Sequence, residues 1–321
     1  MRKLDADAPP ITVDDWRRRH ALYKLDPSLA RAHAALPFFV TIDNHDAVVD
    51  GLETTKALRT AAYRAWAEHM PVRDFLLPDP SHARIAQSIL VGDLMRIETP
   101  DTRQFRDVQD VCGQTANPDI GFGLYRTPCA DMAGGQRTML GLTQEAAVRD
   151  ALLRKPRTWN VLASTVPFAP YRIVAGGAER VYASAWGAYP AAYARMAGAL
   201  RQGKVRNLVV LSGDIHSSWV WDVRERTDDA DTTFGTEIVS TSICSECPPP
   251  FADPLTSSVG HNPQVRYVEA TRHGYVLHTV RPSGWTARVR LVANTLTARS
   301  TMSDGPKIAI KAGRPGMADI S

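Results

Sequence analysis

Apolar stripes at helical spacing mark three segments. Over 54–69, Ala57, Leu58, Ala61, Ala62, Ala65 and Trp66 share one face; over 189–201, Ala192, Tyr193, Met196, Ala197 and Leu200 do so, with Gly203 closing that helix. A third helix is predicted over 143–154 with Thr143 as its N-cap. Short apolar runs and period-two alternation predict strands at 37–42, 88–98, 159–164, 207–212, 217–223 and 236–242. A run of three follows, 265–271, 275–281 and 285–292, in which "RHG" and "PSG" are read as turns and the whole as an antiparallel meander. Helices interleaved with strands and then a meander predict two packed sheets with helices outside.

With 321 residues, 44% of them hydrophobic, the chain has enough apolar material for one large core. No repeat, low-complexity tract or linker divides it, so a single domain over 1–321 is expected, with long loops at 74–82, 112–136 and 244–264. A net charge of +4 and scattered basic residues give no nucleic-acid-binding or membrane-binding patch. No apolar stretch approaches the roughly 20 residues that span a bilayer. The start, "MRKLDADAPPITVDDW", lacks the apolar centre of an export signal, which reads as cytoplasmic if the chain is complete.

Of the cysteines Cys112, Cys129, Cys244 and Cys247, the last two have C-x-x-C spacing, which serves redox chemistry or half a zinc site in other settings. Here "ICSEC" lacks a thioredoxin-type βαβ context, and Cys112 and Cys129 are 17 apart. One or two disulfides, or plain loop thiols, fit better. Soft thiolates also suit a site of hard oxygen donors poorly, so the cysteines are expected outside any such centre.

Two segments share one plan. "NLVVLSGDIH" reads as a buried central strand ending in Gly213, with Asp214 and His216 beyond its carboxyl end. "LPFFVTIDNHD" repeats the arrangement with Asp43, Asn44, His45 and Asp46. Strand carboxyl ends are where α/β sheets hold ligands, and oxygen and imidazole donors suit hard or borderline metals. Taken singly, each Asp caps a turn and each His fills a half-buried slot; two matching examples favour a metal or phosphate site. No G-x-S-x-G elbow, P-loop or G-x-G-x-x-G is present. The adjacent His45–Asp46 pair is similar to an HD-type phosphohydrolase centre, but that pattern sits on helices.

These residues, together with "AYRAWAEHMPVR", "LVGDLMRIETPDTRQFRD", "RTMLGLTQEAAVRDAL", "HGYVLHTV" and "KAGRPG", occur in the order found in the alkaline phosphatase D (PhoD-like) metallophosphatase family. The chain resembles that family from about residue 12 onward. The resemblance implies an α+β, two-sheet sandwich flanked by helices, with a centre that uses calcium and iron, or other divalent ions, to hydrolyse phosphate monoesters or diesters. It implies a periplasmic or secreted enzyme if the chain is a fragment of a full-length member. Carried over by position, Asn44, Asp214 and His216 match metal ligands, Asp43 is an additional candidate, and His45 faces the substrate phosphate as proton donor. Arg103 in "DTRQFRD" is a candidate phosphate contact; its alternative is an ion pair with Asp101 or Asp107.

Departures accompany the match. Asp46 stands where the family has Glu, Ser184 and Gly187 occupy a region that is often acidic, and Gln264 replaces a usual His. The Gly-Asp-x-x-Tyr motif and an earlier ligand-bearing strand are not found, so the domain is expected to be N-terminally incomplete. Three recognisable ligands against the roughly six of a two-metal site leave a second reading, a non-catalytic remnant that binds metal or phosphate only. The same reasoning places the strand ends at 42 and 212 side by side.

Overall fold

Residues 9–47, 55–72, 79–113, 121–154, 156–297 and 299–321 are described by a computed structural model, in which contacts divide the chain into two compact units, Arg2–Ala86 and Gln87–Ser321.

In the first unit, α1 (Val13–Lys24) opens at a capping box: the Thr12 hydroxyl accepts from Asp15 N, and the Asp15 carboxylate accepts from Thr12 N. Asp26 caps α2 (Pro27–Ala35). In α3 (Lys56–His69) the expected stripe is buried from Ala61 to Trp66 against Trp16 of α1, while Ala57 is exposed. Residues 37–43 differ from the expected strand. They run without strand pairing among the described residues and lead into a short 3-10 turn, Asn44–Asp46. Their apolar pattern is strand-like, but a ladder partner is what makes a strand.

The second unit is built around a seven-stranded sheet. Its first hairpin joins β1 (Gln87–Val91) to β2 (Met95–Thr99), so the single strand expected over 88–98 is two, folded at Gly92–Leu94. Next come β3 (Tyr125–Arg126), α4 (Leu142–Arg154), β4 (Trp159–Ala163), β5 (Ile173–Ala175), β6 (Ala178–Tyr182), α5 (Pro190–Gln202), β7 (Leu208–Ser212), β8 (Ser218–Arg224), β9 (Thr233–Val239), α6 (Pro249–Ser257) and β10 (Val265–Glu269). Thr143 lies inside α4, not at its cap, because the Gly141 carbonyl already accepts from Glu145 N. The large sheet has the order β1-β2-β4-β7-β9-β8-β10. Parallel pairing of β2, β4, β7 and β9 puts their carboxyl ends at one edge.

A second sheet contains β11 (His273–Arg281), β12 (Gly284–Val292), β13 (Met302–Lys311) and β14 (Asp319–Ile320). Trp159, Val161, Val209, Val220 and Ile238 of the first sheet meet Trp285, Ala287, Val289, Leu291, Ile308 and Ile310 of the second in a continuous buried layer. On the other face, α4 and α5 cover Leu162, Leu208 and Val210 with Val148, Leu152, Met196 and Leu200. The result is a two-sheet sandwich flanked by helices. The expected meander is not one, since β10 pairs with β8 in the first sheet and β11 begins the second.

Candidate active site

β7 is flanked on both sides by parallel strands, and the chain leaving its carboxyl end bends sharply. Asp214 has φ +74° and His216 φ +50°, left-handed conformations that non-glycine residues adopt at a cost. Neighbouring segments hold this turn. The Ser212 carbonyl accepts from Ser240 N at 2.8 Å, and Thr241 Oγ1 donates to the His216 carbonyl at 3.0 Å. The Cys247 thiol lies 3.4 Å from the Ile215 carbonyl, between the two candidate ligands. Burial pushes that thiol up to about 11, so it stays protonated and packs rather than reacts.

Arg103, on the loop after β2, donates from Nη2 to Asp214 Oδ1 at 2.5 Å, the side chains being only 6% and 4% exposed. Pairing with Asp101 or Asp107 would have been local, but both acids are engaged elsewhere. Asp101 accepts from Arg103 N and Gln104 N to close its own turn, and Asp107 accepts from Thr138 N. Arg103 therefore reaches across 111 positions. Asp214 Oδ2 is buried with no hydrogen bond, and the neighbouring Tyr182 phenol is pushed well above its ordinary range by burial and by the Asp214 charge.

His216 Nδ1 lies 2.7 Å from the Glu246 carbonyl, which only accepts, so Nδ1 carries the proton and Nε2 presents its lone pair. His273, 8% exposed and bonded through Nδ1 to the Ser242 hydroxyl, has its pKa lowered by burial; the Glu246 charge opposes the shift and His216 adds to it. Sequence reasoning passed over His273, where a His beside a strand glycine was the available signal. It also passed over Glu237, a lone acid in the apolar run "TFGTEIV".

Asn44 and His45 belong to the first unit, on the 3-10 turn that Asp46 closes by accepting from Asp43 N at 2.9 Å. His45 is exposed. Of the substituted family positions, Ser184 accepts from Gln109 Nε2 at 3.0 Å, and the buried Gln264 donates to the Pro170 carbonyl at 2.9 Å. Cys112 and Cys129 form a disulfide, whereas Cys244 and Cys247 are free thiols. Among the described residues no three His, Cys, Asp or Glu side chains group as a metal cluster. Even so, a buried carboxylate beside the Tyr182 phenol and an imidazole whose Nδ1 is held at a carbonyl, leaving the lone pair on Nε2, have the donor chemistry of a metal site.

The fold is thus a helix-flanked two-sheet sandwich with an acid–imidazole turn at the carboxyl end of a central strand. The chain belongs to the PhoD-like phosphatase family, whose sequence profile matches residues 1–289. It is 30% identical over 325 residues to alkaline phosphatase D of Bacillus subtilis (strain 168), a match that covers 97% of this chain and 54% of that protein. It also superposes on the solved structure of PhoD with a TM-score of 0.83 and 28% identity, covering 98% of this chain and 61% of that one. The chain thus spans about half the length of the curated relative it matches.

Proposed function

We propose that this chain hydrolyses phosphate monoesters or diesters with the help of bound metal ions, calcium with iron being the pair its family resemblance implies. Both units would serve one catalytic domain, a reading supported by a family profile that runs across them. Asn44, Asp214 and His216 would hold metal, with Asp43 as an additional oxygen donor. When bound, the metal supplies Lewis acidity toward the phosphoryl group and lowers the pKa of water.

The chain's own residues supply the rest. The observation that carries the reading is the buried Arg103–Asp214 pair on the strained turn after β7. Arg103 orients Asp214, and its planar guanidinium has the geometry suited to a phosphoryl oxygen. The Glu246 carbonyl fixes the His216 tautomer. His45, exposed on its turn, is the proton donor to the leaving oxygen. The Cys112–Cys129 disulfide supports export to an oxidising compartment.

The test is hydrolysis of p-nitrophenyl phosphate and bis(p-nitrophenyl) phosphate by the purified chain. Activity lost on chelation and restored by calcium with iron is expected. Bound metal or phosphate without turnover would favour the non-catalytic remnant.

A further inference from the structure

The loop "DTRQFRD" carries two arginines, of which Arg103 has been placed. Arg106 has its Nη1 buried with no hydrogen-bond partner, and it forms no ion pair among the described residues. Its acidic neighbours are occupied: Asp101 by its own turn, Asp107 by Thr138 N, and Asp214 by Arg103. The charges that bear on Arg106 are Arg103, which repels it, and Asp214; Tyr182 and Tyr189 stand beside them as neutral phenols. Tyr189 in turn donates to the Asp107 carbonyl at 2.7 Å, which holds that side of the loop in place.

Arg106 thus stands near a carboxylate that is already bonded to another guanidinium. A cation with a buried, unbonded Nη1 and no carboxylate of its own is costly, and a ligand anion would supply the missing partner. Burial and the nearby Arg103 charge both act against the Arg106 cation. A bound metal at Asp214 would add positive charge and sharpen the imbalance. An anion with several acceptor oxygens in a tetrahedron fits two forked donors, because each planar guanidinium takes two oxygens.

We propose that Arg106 is a phosphate-binding residue which, with Arg103, clamps the phosphoryl group of the substrate and the inorganic phosphate released from it. The proposal rests on the phosphatase reading for its ligand class and adds a residue to that site. Arg103 acts at the carboxylate and the phosphate together, whereas Arg106 acts at the phosphate alone. Removing Arg106 therefore relieves a buried charge in the empty protein and removes an anchor in the loaded one.

The experiment compares wild type with Arg106→Gln and Arg106→Lys, matched for metal content, using inorganic phosphate as the probe. Calorimetry is expected to show phosphate affinity weakened roughly 10-fold or more in Arg106→Gln and less in Arg106→Lys, which keeps charge without the fork. Thermal melting without phosphate should leave Arg106→Gln at least as stable as wild type, while added phosphate raises the wild-type Tm and barely moves that of the variant. Unchanged phosphate affinity in Arg106→Gln overturns the proposal. So does a variant that fails to fold or melts lower without phosphate, since Arg106 would then be structural. Wild type that binds phosphate through Arg106 yet hydrolyses nothing removes the catalytic reading and leaves this one. Wild type that hydrolyses while Arg106→Gln keeps its phosphate affinity does the reverse.

Discussion

Glu237 sits in the middle of β9 with no exposed surface, its carboxylate accepting from Phe168 N at 2.8 Å, Ala169 N at 2.7 Å and the Ser212 hydroxyl at 2.6 Å. Those bonds tie the loop after β4 to the last residue of β7, one position before the Gly213–Asp214 bend. Burial outweighs the three donors and pushes the carboxyl up to about 7. The folded pKa lies above the ordinary 4.5, so the protonated acid stabilises the fold below that value, and the contribution fades as pH rises through about 7. Urea unfolding at pH 5 and pH 8 should show wild type losing about 3 kcal/mol relative to Glu237→Gln across that window. Equal pH dependence in the two proteins would mean that Glu237 does not titrate there. At this scale the sequence marked Asp214, His216 and Arg103 through their place after strands. Glu237 and Arg106 belong to no motif that sequence reasoning singled out, and only burial distinguishes such groups.

Elements with a clean period were legible, and those whose pattern is broken by special residues were not. The stripes of α3 and α5 placed α5 within a residue and α3 within two, because apolar spacing follows directly from helix geometry. Gly203 does end α5, though with φ −72°; its small size matters because a Cβ there would meet Leu153 of α4 at 2.7 Å. β13 and α6 were missed for opposite reasons. "SDGPK" carries Gly305 and Pro306 inside a strand, which the sheet accommodates at the irregularity between Arg288 and Arg290 of β12. α6 begins with prolines, tolerated in a first turn where the missing N–H has no partner, and holds Pro254 within it. The "RHG" segment shows how a turn signal misleads. Gly274 has φ +157° inside β11, and a Cβ there would collide with the Arg290 carbonyl of β12, so the glycine serves a close strand approach. Gly274→Ala should lower stability by about 2 kcal/mol or more, read from the urea midpoint, with the largest loss of amide protection in β11 and β12. A neutral result would return that segment to the turn class.

The two-unit division of the chain bears on how the proposed reaction is organised. The sandwich unit holds Arg103, Arg106, Asp214 and His216, and the first unit holds Asn44 and His45, yet one family profile spans both. Period-two patterning made the layers of the sandwich legible, while the distribution of strands between sheets was not, because alternation records which face is buried and not which strand lies alongside. The segment before Asn44 shows a related limit, for its apolar run over 37–42 is real and its ladder is not formed among the described residues. His45 tests whether the first unit takes part in the chemistry at all. Because its side chain is exposed, His45→Ala should leave the melting temperature within about a degree of wild type, the usual scale of surface substitutions. As a proton donor to the leaving oxygen it should nevertheless lower turnover of an alkyl phosphate ester by roughly 10²-fold or more. An ester with an acidic phenol as leaving group needs no such proton, so the variant should lose much less there. Equal losses on both esters would point to a binding role, and no loss on either would confine the reaction to the sandwich unit.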